Sequence, residues 1–197
     1  MDWELLTACM LGNLDDVRIL LYNPKINVNA KHEDHLGQTP LIFAILYGHY
    51  EIVELLLHDS RIDVNLGDKD GSTPLHFACL YEKIGVLKLL LKQEKLDINK
   101  SNNDDVTPLM NACIDSHVDV VQLLLANTKD IHLTPKNSYG KTAIDLAREK
   151  GLFHILELLE AYEKDPKETR VQLRKKLGLC GNLTFYFIFF NYYNYLI

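Results

Sequence analysis

DKDGSTPLHFACLYEKIGVLKLLL (68–91) runs, in order, through a polar turn, a helix start, a small alanine and a leucine cluster. Thr73 ahead of Pro74 opens the first helix, because a threonine hydroxyl caps free backbone N–H groups and the fixed φ of proline suits the first helical position. The cluster Leu87-Lys88-Leu89-Leu90-Leu91 supplies a second helix with an apolar face. The same order returns along the chain. Thr39-Pro40-Leu41 and Thr107-Pro108-Leu109 lie 34 residues to either side, and Thr142-Ala143-Ile144 follows 35 further on. Ala44, Ala78, Ala112 and Ala147 sit three residues beyond the Leu or Ile of each. Leucine clusters recur in register at 53–57, 121–125 and 156–159, and residues 3–21 fit the template through Leu5, Ala8, Gly12, Val17, Leu20 and Leu21. A fixed period of this length decides the architecture, and here it predicts five units.

Each unit is expected to be two short helices, broken where Gly48 or Gly151 stands. Ile26-Asn27-Val28-Asn29, Ile62-Asp63-Val64-Asn65 and Leu96-Asp97-Ile98-Asn99 read as extended arms leading into tight turns such as Asp68-Lys69-Asp70-Gly71. No single unit can bury its own apolar face, so stability has to come from stacking, and both end units should be atypical.

DHLGQTPLIFA (34–44) and DKDGSTPLHFA (68–78) resemble the signature of the ankyrin repeat nearly residue for residue, and the resemblance covers residues 3–162. It implies an all-α solenoid of stacked helix-turn-helix units carrying β-hairpin-like fingers. The units would span 1–33 (an N-terminal cap), 34–66, 67–100, 101–133 and 134–162 (a C-terminal cap), followed by a basic helix at 163–177 and a hydrophobic low-complexity tail at 178–197. Three departures from the family pattern carry expectations. HDSRIDVN (58–65) and KQEKLDIN (92–99) lack the glycine that usually follows the second helix and are one residue longer. Asp105 replaces the turn glycine of Gly37, Gly71 and Gly140, so the fourth finger should be the least regular. The fingers Lys31–Gly37 and Leu133–Gly140 count as about two residues longer than Leu66–Gly71.

Composition narrows the function. A chain of 197 residues that is 47% hydrophobic and 24% charged is globular. Residues 1–162 carry 15 Lys and Arg against 24 Asp and Glu, an acidic body that repels nucleic acid. Four cysteines without metal-ligand spacing form neither a disulfide framework nor a zinc site, which suits a reducing intracellular setting, cytoplasmic with the nucleus as an alternative. The first twenty residues lack a basic region ahead of an apolar run and do not read as a secretory signal. Cys9, Cys79 and Cys113 each follow the repeat alanine and read as small packing residues. His49, His76 and His117 fall in repeat slots, where the resemblance implies bonds to neighbouring loops. No catalytic, phosphate-binding or metal motif is found, so neither enzymatic activity nor a cofactor is expected.

What the resemblance implies instead is a monomeric adaptor or scaffold for a protein partner, docking on the fingers and on the concave end of each first helix. The concave pairs are Met10-Leu11, Leu46-Tyr47, Leu80-Tyr81, Ile114-Asp115 and Glu149-Lys150, and the first three form an apolar or aromatic strip. Leu46 and Leu80 could instead pack on their own second helices. Finger residues expected to add polar selectivity are His35, Leu36, Lys69, Asp70, Asn103, Asp104, Ser138 and Tyr139. The resemblance also marks Asn29, Asn65 and Asn99 as targets for asparaginyl hydroxylation, against the plainer role of bonding the hairpin.

At the other end, Asp165-Pro166 should cap a short basic helix with Leu173 and Leu177 on one side, and docking on the last repeat is preferred to a lipid contact or a solvated state. LTFYFIFFNYYNYLI (183–197) is too short to span a bilayer alone and contains Asn191 and Asn194. A low-complexity tail or translated AT-rich sequence accounts for its composition better than a tail anchor, the alternative that would make the chain a membrane-tethered scaffold. A regulatory fragment of a larger protein is a third reading. On the period alone, residues 1–165 should fold without residues 166–197.

Overall fold

The computed structural model describes residues 2–127 and 130–179, and among them the chain forms eleven helices and no strand. Ten of these pair off: α1 (Asp2–Leu11) with α2 (Leu14–Leu21), α3 (Pro40–Tyr47) with α4 (Tyr50–Leu57), α5 (Pro74–Leu80) with α6 (Ile84–Leu90), α7 (Pro108–Ile114) with α8 (Val118–Asn127), and α9 (Ala143–Glu149) with α10 (Phe153–Lys164). First helices pack on first helices and second helices on second helices, which gives a two-layer stack. The last helix, α11 (Pro166–Lys176), lies across α8 and α10.

The first helices begin as the sequence predicts. Thr39, Thr73, Thr107 and Thr142 sit in extended backbone and accept at Oγ1 from the N–H three residues on. A first helix inside the stack has neighbours on several sides, and in α3 every residue from Pro40 to Ile45 is buried. The repeat alanines are 0% exposed where these helices meet, and a larger side chain there would overpack the junction.

Turns between paired helices need one left-handed residue. Gly12, Gly48 and Gly151 provide it at φ of 80°, 78° and 66°, but Glu82 at 50° and Ser116 at 64° hold the same place in the third and fourth pairs. A residue with a Cβ is disfavoured there by about 1–2 kcal/mol, so those two turns are held by their surroundings. Second helices end differently. His58 and Leu91 cap α4 and α6 in right-handed conformation, and the chain leaves through short turns such as Asp59 N–H to Leu56 O at 3.0 Å and Gln93 N–H to Leu90 O at 2.9 Å.

The arms are sewn together by the three asparagines. Asn29 donates to Arg61 O (2.8 Å) and accepts from Asp63 N–H (2.9 Å), Asn65 does the same with Lys95 and Asp97, and Asn99 with Asp130 and His132. Arg61 adds a longer stitch, donating to Leu21 O (2.9 Å) and Asn23 O (3.2 Å) at the end of α2. The guanidinium is aimed by Asp59, whose carboxyl is held below its ordinary range by that hydrogen bond.

Two expectations about the fingers are overturned. The fourth is as regular as its neighbours: Asn102 N–H bonds Val106 O at 3.0 Å as Asp68 N–H bonds Ser72 O at 3.1 Å, with Asp105 at φ 56° in the glycine position. Asn102 Oδ1 accepts from both Asp104 and Val106 N–H, a brace that sets the turn whether or not a glycine follows. Nor is the fifth finger long. His132 N–H bonds Asn99 as Asp97 N–H bonds Asn65, which places Thr134 at the arm's asparagine position and Asn137 level with Asp68. The long finger is the second, closed by His32 N–H to Gln38 O at 3.0 Å, with Leu36 at φ 51°.

The final helix docks on the end of the stack, as the sequence reading preferred. Although α11 lies outside the repeat period, it buries Leu173 and Thr169 against the stack, and Arg174 donates to Ala126 O of α8 (3.4 Å) and to Leu179 O (2.9 Å). Asp165 caps it by accepting from Lys167 and Glu168 N–H. The folded unit therefore runs past residue 165. The hydrophobic tail expected at 178–197 lies outside the described residues beyond Leu179.

Candidate functional site

Each first helix ends beside a finger, and ring contacts trace the face they share. Tyr47 stacks on Phe43, one turn earlier in α3, with centroids 6.3 Å apart, and on His49 in the following turn at 6.3 Å. Phe43 meets His35 of the second finger edge-on at 5.7 Å, His35 meets His32 at 4.3 Å, and His32 meets Trp3 of α1 at 4.2 Å. Finger, helix and turn are thus joined by one chain of rings, in which Phe43 and His32 are buried while Trp3, His35 and Tyr47 are exposed. In the next unit Tyr81 stacks on Phe77 at 6.5 Å. Among the described residues no ring contact joins Tyr47 to Tyr81.

Of the concave pairs, Leu11, Tyr47 and Tyr81 are 61%, 55% and 51% exposed, whereas Met10 and Leu46 pack against the core. Leu80 and Ile114 are half-buried and Asp115 is exposed. In the first four pairs the outer member is therefore the available one, in the fifth both Glu149 and Lys150 are exposed, and the leucine strip shrinks to Leu11 with two tyrosines. The turns behind them are tied in series: His49 Nε2 bonds Met10 O at 3.2 Å, His117 Nε2 bonds Leu80 O at 2.9 Å, and Lys150 donates to Ile114 O at 2.5 Å. These bonds use the last carbonyls of α1, α5 and α7, so the exposed ends of those helices are fixed relative to the next unit.

The finger residues His35, Leu36, Lys69, Asp70, Asn103, Asp104, Ser138 and Tyr139 are all exposed, Tyr139 at 84%. Their backbones are committed: Lys69 N–H bonds Leu36 O (2.7 Å), Asn103 N–H bonds Asp70 O (2.9 Å) and Ser138 N–H bonds Asp104 O (2.9 Å). So are two side chains, for Lys69 donates to Glu33 O (2.6 Å) and Asn103 to Lys69 O (3.0 Å). Lys69 and Asn103 rigidify the row, while the carboxylates of Asp70 and Asp104 are presented at its tips.

The titratable residues inside the stack are structural. Cys9, Cys79 and Cys113 are fully buried, and burial pushes the thiols of Cys9 and Cys113 up to about 12 and that of Cys79 higher still, far from a nucleophile's range. His76 accepts from Thr73 N–H at Nδ1 (3.0 Å) and donates from Nε2 to Val106 O (2.9 Å), so its proton sits on Nε2. Burial lowers its pKa and keeps it neutral, closing the cap of α5 and tying it to the next finger.

Sequence reading missed Trp3 and His32 and placed His35 only as a polar fingertip residue, because a finger two residues longer than its neighbours puts those histidines out of repeat register. The Phe43/Tyr47 and Phe77/Tyr81 stacks were legible, since residues four apart on a helix share a face. A family model described as ankyrin repeats (3 copies) matches residues 5–102 and 85–170. No curated protein sequence matches the chain.

Proposed function

The chain belongs to the ankyrin-repeat family, whose repeats mediate protein–protein interaction, and from that premise we propose that it is a non-catalytic adaptor or scaffold that takes a protein partner on the concave ends of α1, α3 and α5 and on the adjoining fingers. The observation that carries this reading is the pair Tyr47 and Tyr81, half-exposed at matching positions of neighbouring units, each backed by a phenylalanine ring. Backed aromatics are prepared for binding. Holding the ring in place before association removes part of the ordering cost, and tyrosine joins a large apolar body to a polar tip.

The remaining exposed residues divide by role. Leu11, Leu36 and Tyr139 extend the apolar contact, and His35, Asp70, Asp104, Asp115 and Ser138 select by polarity. At Asn29, Asn65 and Asn99 the amide groups hold the arms together, while hydroxylation would fall on the side-chain carbon and leave those bonds in place, so the proposal that they are hydroxylation sites stands beside their structural role. The membrane-tethered alternative draws no support from the described residues, in which no helix is long and apolar enough to cross a membrane.

The test is affinity capture with the full chain, followed by the Tyr47→Ala, Tyr81→Ala double variant against the captured partner. Binding is expected to weaken by about 2 kcal/mol or more, the threshold for residues that dominate an interface. Undiminished affinity with the thermal midpoint preserved would place the docking surface elsewhere.

A further inference from the structure

Charge is sorted over this surface in a way that the fold does not require. Toward the middle of the stack the fingertips present Glu33, Asp34, Asp70, Asp104 and Asp105 against Lys31 and Lys69, and the ammonium of Lys69 is held by Glu33 O at 2.6 Å. The turns beside them add Glu82 and Asp115, both exposed, with the half-buried Lys83 beside Gly48. Second helices and arms mix signs instead: Glu51 and Glu54 are answered by Lys88, Lys92 and Lys95, all exposed. In the fifth unit the cations are paired with carboxylates, Lys141 with Glu149 and Arg148 with Glu160.

Resting on the docking face just described, we infer that its occupant is a basic segment, rich in lysine and arginine with interspersed apolar residues, seated on the second to fourth units. Two independent features select it. The exposed rings of Tyr47 and Tyr81 form an apolar floor, and carboxylates border that floor on the finger side and on the turn side. Lysine and arginine match such a surface better than any other side chains, since their methylene stems lie along apolar area while the charged heads reach the rim. An acidic or phosphorylated segment meets like charge on both borders, which costs affinity and slows encounter. The acidic row stops at the fifth finger, whose tip carries Ser138 and Tyr139, and this marks one end of the seat.

The experiment selects random linear peptides on the immobilised full chain at low salt and ranks the enriched sequences by fluorescence anisotropy. Two variants are compared with the wild type, Tyr47→Ala with Tyr81→Ala for the floor and Asp70→Asn with Asp104→Asn and Asp115→Asn for the rim, each checked by circular dichroism and thermal midpoint. The expected result is enrichment of Lys- and Arg-rich sequences that weaken about tenfold with the rim variant, as three partly exposed ion pairs would, and that lose affinity as salt rises. Peptides that depend on the two tyrosines but carry no basic bias, or ignore the rim variant, overturn the basic occupant and leave the docking face standing. Binders indifferent to both variants overturn the docking face as well.

Discussion

The two ends of the stack meet the same physical problem and solve it differently. At the first pair, α1 and α2 have a neighbour on one side only, and Trp3, Ile19 and Tyr22 stand 55%, 68% and 84% exposed. The chain adapts this face by side-chain choice: Thr7 occupies the place of the buried Phe43 of α3, and exposed Glu4, Asp15 and Asp16 surround the remaining apolar groups. At the opposite end an additional element does the work. α11 lies over α8 and α10, puts Leu173 into the core at 4% exposure and turns Lys167, Gln172, Lys175 and Lys176 to solvent. The outer face of a repeat pair can thus be made polar by side-chain choice or covered by a helix that belongs to no unit, and only the second creates a single element on which that face depends.

The sharpest way to break this comparison is truncation. Ending the chain after residue 165 removes α11 and should lower the thermal midpoint by about 6–12 °C relative to a chain ending after residue 179, given the loss of at least one large buried side chain. Equal midpoints would show that α11 merely rests on the stack. A single substitution narrows the question: Leu173→Ala should cost about 2–4 kcal/mol in urea unfolding, the usual range for emptying a buried leucine site. Arg174→Ala comes next, at about 1 kcal/mol, because its guanidinium donates to Ala126 O and Leu179 O from a partly buried position. The smallest effect belongs to the other end, where Ile19→Ser should stay within about 0.5 kcal/mol of wild type, as changes at exposed sites do. A cost there comparable to that of Leu173→Ala would mean that the first pair has a covering partner in solution and that the contrast between the ends is false.

Much of the architecture was legible because it repeats. The caps Thr39, Thr73, Thr107 and Thr142 act locally, through a hydroxyl and an N–H three residues apart, so spacing alone reveals them. The fingers were read less well. A glycine at the turn looked necessary, yet Asp105 takes up φ 56° because Asn102 braces the turn from its other side and Ser138 N–H secures Asp104 O from the next finger. Glu82 and Ser116 went unnoticed in left-handed turns, because a residue type reports its preference and not the packing that overrides it. On the candidate face the two tyrosines followed from the period. The leucines beside them did not divide into exposed and buried until the helices were placed.

By itself the sequence determined what depends on neighbours in the chain or on regular recurrence: the helix pairs, their capped starts, the alanines where first helices meet, and the acidic character of the body. Tertiary structure alone decided the rest. It set α11 across α8 and α10, joined Trp3 to Tyr47 through the histidines of the long finger, and separated the exposed tyrosines from the half-buried leucines one residue before them. The reason is one of range. Capping and turn energies arise within a few residues of chain, whereas burial and ring contact depend on which surfaces stacking brings together, and no local preference encodes that.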